Sequence, residues 1–417
     1  MGKTIVEKIF SKKLNSDHYA GDFVITEPDI MFCHEGSGAI AINVFKELNL
    51  NNIKYPRRTP FIIDHSAPSI NKVVASRHKL VREFVEQYQL PFHDVGNGIC
   101  HQVFGEEGYF KPGDIVVGGD SHTVTYGALN LFATGIGATE LAMAFVSGKV
   151  WFKIPSSIKV MFNNKLDKGV EAKDLGLNLI KTIGLTGARY KCLEFNGNLL
   201  NDLSIDSRFT ISNLSVEMGA KAGIFIGDKI TSDWCKSHGF KPITIVNPDE
   251  DAKYEKIIQI DASTIEPVVS LPHTIDQIEN VKNLSRTRIN LGVIGTCTNG
   301  RLDDIRTAAK ILKNNKISPN VTLLIIPASK RILLKAIKEG LLEILINSGA
   351  VIMPPSCGPC MGHSQGIAAD GDNIISTQNR NYKGRMGNTK SNIYLASPGT
   401  VAASAIKGYI TDPREIV

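Results

Sequence analysis

Cys297 lies in Gly-Thr-Cys-Thr-Asn-Gly-Arg, and Cys357 and Cys360 lie in Ser-Cys-Gly-Pro-Cys-Met-Gly. Four cysteine thiolates saturate an iron–sulfur cube. Three leave one iron able to bind water or a substrate oxygen and act as a Lewis acid. Cys357-x-x-Cys360 by itself also suits a redox pair or half of a zinc site. A redox pair should open a helix after a thioredoxin-like βαβ start, and nothing upstream reads that way. A structural zinc site needs a second ligand pair at suitable spacing, and none follows. Cys33, Cys100, Cys192 and Cys235 are scattered singly and read as small core residues. Cys297 follows the apolar run Ile289 to Ile294, which reads as a buried strand, and precedes polar Thr298-Asn299-Gly300. Ligands in open α/β sheets bind at such carboxyl ends of strands.

Three further segments supply imidazole, two of them with a carboxylate alongside: Asp64-His65-Ser66, the run Gly96 to Gln102 with His101, and Gly118-Gly119-Asp120-Ser121-His122-Thr123. An Asp beside a His can orient the ring, fix its tautomer and raise its pKa, which suits proton transfer near neutral pH. A lone Asp-His step is usually a solvated turn, but three such histidine segments within a short stretch, two at strand ends with an acid, point to a site. Arg380 and Arg385 lie in a glycine-containing loop and can clamp carboxylates bidentately. With Asn213 and Glu217, in the run Ser212 to Gly219, this inventory suits elimination of water from a di- or tricarboxylate.

The elements that must position these groups read as α/β throughout, because short apolar runs alternate with helical stretches. Phe61-Ile62-Ile63-Asp64 is a strand ending in an acid, and His78 to Gln89 an amphipathic helix. Asp114 to Asp120 is a buried strand with a polar end. A new region begins at Ser157 to Met161. The stretch 266–286, broken by Pro267 and Pro272, reads as a linker. The expected division is 1–155, 156–285 and 286–417, with no sequence repeat.

The 417 residues exceed one ordinary core. Apolar content of 42% and charged content of 21% are those of a soluble globular protein. The net charge of +6, spread thinly, selects neither nucleic acid nor an anionic small molecule. Met1 to Val6 lacks a secretory hydrophobic region and fails the myristoylation pattern, and runs such as Leu323 to Ile326 are far too short to span a bilayer. Seven cysteines, an odd number, argue for a reducing compartment. The expected location is the cytoplasm.

Taken in order, these motifs resemble the aconitase superfamily, and within it the large-subunit families of 3-isopropylmalate dehydratase and homoaconitase, over essentially the whole chain. The resemblance implies three α/β/α domains around a 4Fe–4S cluster on Cys297, Cys357 and Cys360. It implies acid–imidazole pairs Asp64–His65, Asp120–His101 and Glu217–His122, with His34, Ser121, Asn213, Arg380 and Arg385 lining the substrate site. The family's fourth, swivel domain is expected to be absent; in the family it carries the base and another arginine. The implied function is that of a hydro-lyase large subunit needing a small partner subunit as a heterodimer or a multiple of it. Isopropylmalate in leucine biosynthesis is the expected substrate, with homoaconitase or a methylmalate or dimethylmalate dehydratase as alternatives. A cluster-sensing RNA binder is the alternative of another class, but no arginine-rich or aromatic-interleaved stretch supports nucleic-acid binding.

Overall fold

The computed structural model describes residues 2–241 and 243–416. Its frame is three largely parallel sheets, each wound in the same order. The first sheet runs Phe92–His93, Phe61–Ile62, Ile30–His34, Ile115–Gly118, Phe132–Gly135. In chain order that is third, second, first, fourth, fifth, with every pairing parallel. The second sheet, Ala222–Phe225, Cys192–Asn196, Ser157–Asn163, Lys256–Asp261, repeats the first four places of that order. The third repeats all five with Val351–Ile352, Thr322–Ile326, Leu291–Gly295, Asn373–Ser376 and Asn392–Leu395. Parallel strands covered on both faces need near-continuous apolar runs, and Ile30–His34 and Leu291–Gly295 are buried at every position.

In such sheets the crevice opens beyond the carboxyl ends, where the winding reverses between the first and fourth strands. His34 ends the first strand of the first sheet, and Asp120 lies just beyond its fourth. In the third sheet Cys297 follows the first strand, and Asn379 and Arg380 follow the fourth.

Two local expectations change. The helix read as 78–89 spans Lys72–Tyr88, because the Asn71 side chain accepts from the Val74 amide and starts it earlier. The linker reading of 266–286 is corrected: Val268–Ser270 and Ile278–Asn280 add antiparallel strands to the third sheet, reaching back across the expected boundary at 285. Each is only three residues long, too short for periodicity to register.

One buried apolar cluster joins Phe32, Phe104 and Tyr126 of the first region to Phe209 of the second and Ile294 and Ile325 of the third. Among the described residues, no helix is long and apolar enough to cross a membrane.

Candidate active site

The strand Leu291–Gly295 turns sharply into the first cysteine. Gly295 takes φ +147°, and a Cβ there would stand 2.4 Å from the Ile326 carbonyl oxygen, so only glycine fits. Thr296 follows at φ 65°, a left-handed conformation costly for a β-branched residue, and is fully buried. That strained corner swings Cys297 into a one-turn helix, Thr296–Asn299. Arg301, in the same motif, is fully buried. It donates to the carbonyls of Cys297 (2.8 Å) and Thr298 (2.7 Å) and to Gln102 Oε1 of the first region (3.0 Å). Sequence reasoning quoted this arginine without giving it a role.

Cys297, Cys357 and Cys360 are buried and free of disulfides. Asn213 Nδ2 and Asn379 Nδ2 each donate to Cys297 Sγ at 3.3 Å, and an Arg385 guanidinium nitrogen lies 3.6 Å from Cys360 Sγ. The Cys357 amide donates to the Asp64 carbonyl at 3.1 Å, tying the cysteine pair to the acid–imidazole strand end. Burial pushes the Cys297 thiol up to about 11, with Cys360 adding to the rise. Burial also raises Cys357 well above the ordinary thiol range, against the pull of His65.

Sulfurs on one tetrahedral zinc lie about 3.8 Å apart. Among the described residues the only group close enough to share an ion is His34, Glu35, Asp64 and His65, within 4.8 Å of one another; the three cysteines do not form one. Soft donors with N–H groups on the sulfurs, and thiols that a bound metal would deprotonate, fit an iron–sulfur cluster.

The group around Glu35 has another explanation. Its carboxylate accepts the amides of Asp64 (3.0 Å), His65 (3.2 Å) and Ser66, and so shapes the turn bearing the first pair. Its pKa is held down: burial alone would raise it, but His34 and His65 outweigh that.

The three acid–imidazole pairs expected from the resemblance are in contact. Asp64 Oδ1 lies 2.6 Å from His65 Nδ1, Asp120 Oδ1 lies 2.8 Å from His101 Nε2, and Glu217 Oε1 lies 3.0 Å from His122 Nε2. His65 Nε2 is also 3.5 Å from Asp120 Oδ2, and Asp120 accepts the His122 amide at 2.7 Å, so the pairs form one chain. Burial works against the charged form of His65, yet Asp64, Cys357 and Asp120 raise it well above the usual imidazole range. Burial holds His101 below that range against the pull of Asp120. Asp120 is held well below the carboxylate range by His101, His122 and His65, although burial opposes this. The surroundings of these two imidazoles thus push them in opposite directions.

The other site residues assemble around these pairs. His34 stacks on His65 with ring centroids 3.8 Å apart, and its Nδ1 accepts the Gly36 amide. Its remaining nitrogen is then the donor in the neutral ring. Arg380 donates to Glu217 Oε1 (2.7 Å) and to Ser121 Oγ (3.2 Å). Asn213 Nδ2 also reaches Thr125 Oγ1 at 2.9 Å. Buried His101 Nδ1 and Arg385 Nε have no hydrogen-bond partner among the described residues.

Three sheets of one winding thus converge on soft sulfur donors, proton-carrying pairs and two arginines. That combination suits a hydro-lyase that binds an anionic substrate. The aconitase family model (aconitate hydratase) matches residues 7–408. The "3-isopropylmalate dehydratase large subunit 2" of Archaeoglobus fulgidus is 47% identical over 100% of both chains. The "3-isopropylmalate dehydratase large subunit 1" of Thermotoga maritima is 45% identical, again over 100% of both. A "probable methanogen homoaconitase large subunit" of Methanosarcina mazei is 45% identical over 94% of this chain and 100% of its own. Among solved structures, Thermococcus kodakaraensis aconitase X superposes with a TM-score of 0.50 at 13% identity, covering 90% of this chain and 89% of that one, a likeness of fold alone. The chain belongs to the aconitase family.

Proposed function

We propose that the chain is the cluster-bearing large subunit of a 3-isopropylmalate dehydratase, interconverting 2- and 3-isopropylmalate by loss and return of water. The setting is leucine biosynthesis in the cytoplasm. The observation that carries this reading is the convergence of three buried thiols and three acid–imidazole pairs, in a chain whose full-length relatives bear that name.

Cys297, Cys357 and Cys360 would hold a 4Fe–4S cluster, which would supply Lewis-acid chemistry toward the substrate hydroxyl. His65, kept protonated by Asp64, gives its proton to the departing hydroxyl oxygen. Asp120 lies against His65 Nε2 and favours its charged form, and His101 in turn holds the Asp120 carboxylate in place. Arg380, held flat by Glu217 and Ser121, binds a substrate carboxylate through its planar fork, and Arg385 offers a second fork beside Cys360. His34 donates to the substrate from the face of His65, and Asn213 fixes the Cys297 sulfur.

The base that removes the α-proton is assigned to a small partner subunit, the counterpart implied by the relatives' "large subunit" names. Ile70, Ile367 and Tyr382 stand exposed on the loops that carry His65, the cysteine pair and the arginines, and Val73 is exposed in the first turn of the helix that follows, which supports a covering chain there. Covering would also exclude water and strengthen every charge contact inside.

The homoaconitase relative favours a second substrate, homocitrate, acted on by the same groups. The test is turnover of the reconstituted chain, with and without its small subunit, on 2-isopropylmalate, citrate, homocitrate and methylmalate. Isopropylmalate turnover that needs both chains is the expected result; full turnover by the large chain alone would refute the split site.

A further inference from the structure

The loop bearing Asn379 and Arg380 is held from the second region by a residue that no motif marked. Lys173, in the first turn of helix Ala172–Ile183, is fully buried. Its Nζ donates to the main-chain carbonyls of Thr377 (3.0 Å) and Gln378 (2.6 Å). Those two residues leave the strand Asn373–Ser376 and lead directly into Asn379 and Arg380. Asn379 donates to Cys297 Sγ and to Asn213 Oδ1; Arg380 donates to Glu217 and Ser121.

A buried ammonium is expensive, and here its two hydrogen bonds go to neutral carbonyls rather than to a carboxylate. Burial lowers it to about 7, partly offset by the nearby charges of Cys297 and Glu217. A simple tie between regions needs no such cost, and the flanking residues already supply it. Glu171 accepts the Gly399 amide at 2.7 Å, and Asp174 accepts the Val268 amide at 3.0 Å. Lys173 instead grips two successive carbonyls and so fixes the peptide planes from which Asn379 and Arg380 project.

We propose that Lys173 is a positioning residue for the reaction, holding the loop so that Arg380 presents its fork to the substrate carboxylate and Asn379 its amide to Cys297. This rests on the function proposed above. Lys173→Met keeps the stem and removes the charge. In the holoenzyme with its small subunit it should lower kcat/KM for isopropylmalate by about a hundredfold, the scale of an ångström-sized misplacement. KM should rise while the cluster chromophore remains.

A double-mutant cycle separates positioning from folding. Lys173→Met with Arg380→Met should be no worse than Arg380→Met alone, in turnover and in calorimetric binding of isopropylmalate. Fully additive losses would overturn the inference, as would Lys173→Met with kcat and KM within about threefold of native, well inside the expected loss. A loss that follows a large fall in thermal midpoint and is additive assigns the lysine to folding instead. Should the native pair turn over none of the hydroxy acids, the functional reading fails by itself, and the binding cycle still judges Lys173.

Discussion

The first and third regions share a strand order and place their chemistry at the same carboxyl edge, yet they are electrostatically opposite. In the first, each acid has its imidazole: Asp120 is held well below the carboxylate range and His65 well above the imidazole range. In the third, burial drives Cys297 to about 11 and raises Cys357 well above the ordinary thiol range. One half of the site has its charges paired as folded; the other holds thiols that burial keeps from ionising. One topology serves both because the strands fix positions and the loops beyond them choose the chemistry.

Breaking the thiol half should have the largest effect. Cys297→Ser, Cys357→Ser or Cys360→Ser should each abolish the iron–sulfur absorbance and all turnover. Cys192→Ser and Cys235→Ser, at buried positions away from the site, should abolish neither, as iron and sulfide analysis would show. Stoichiometric zinc in place of iron and sulfide would end the cluster reading.

Breaking the paired half should spare the cluster. His65→Ala should keep the chromophore and lower kcat by roughly 10²–10⁴-fold, the usual contribution of a positioned proton donor. Near-native turnover would remove His65 from its role.

Arg301 joins the halves, since it grips the Cys297 loop and Gln102 together. Arg301→Met leaves the buried Cys297 carbonyl without a side-chain donor and the Thr298 carbonyl with Thr210 Oγ1 alone, and should cost on the order of 3 kcal/mol in denaturant unfolding. Asn379→Ala, which removes one of two amide donors to Cys297 Sγ, should cost about tenfold in activity and shift the cluster potential.

The smallest effect concerns pH. Turnover that requires protonated His65 should hold through neutrality and fall as pH rises through its raised pKa. Asp64→Asn removes the chief raising partner, so the alkaline fall should move to lower pH in a kcat profile. The same pairing contributes stability that is complete below the ordinary imidazole value and is lost as pH rises through the raised one.

Legibility in the sequence followed the same divide. Cys297 could be read because a buried run announces the strand before it, and Asp64–His65 because its two residues are adjacent, whereas Asp120 meets His101 across 19 positions. Glu217–His122 could not be read from spacing, since 95 positions separate the partners; only the resemblance joined them. Asn379 was hidden beside two more conspicuous arginines. Lys173 and Glu35 look like ordinary charges in the first turn of a helix, and only tertiary packing reveals that both are buried. The short strands at 268–270 and 278–280 were obscured by the prolines around them.

The repeated winding has a consequence for assembly. The parallel strands of each sheet come from one continuous stretch of chain, so each can form from contacts largely local to its region, whereas the His122–Glu217 pair and the Asn213 contact to the Cys297 sulfur cross between regions. The site can exist only after the three units have docked, which makes it the last structure gained in folding and the first lost on partial opening. Gentle heating should therefore erase activity while the helical signal is still intact, and iron can be captured securely only by a chain that has already closed.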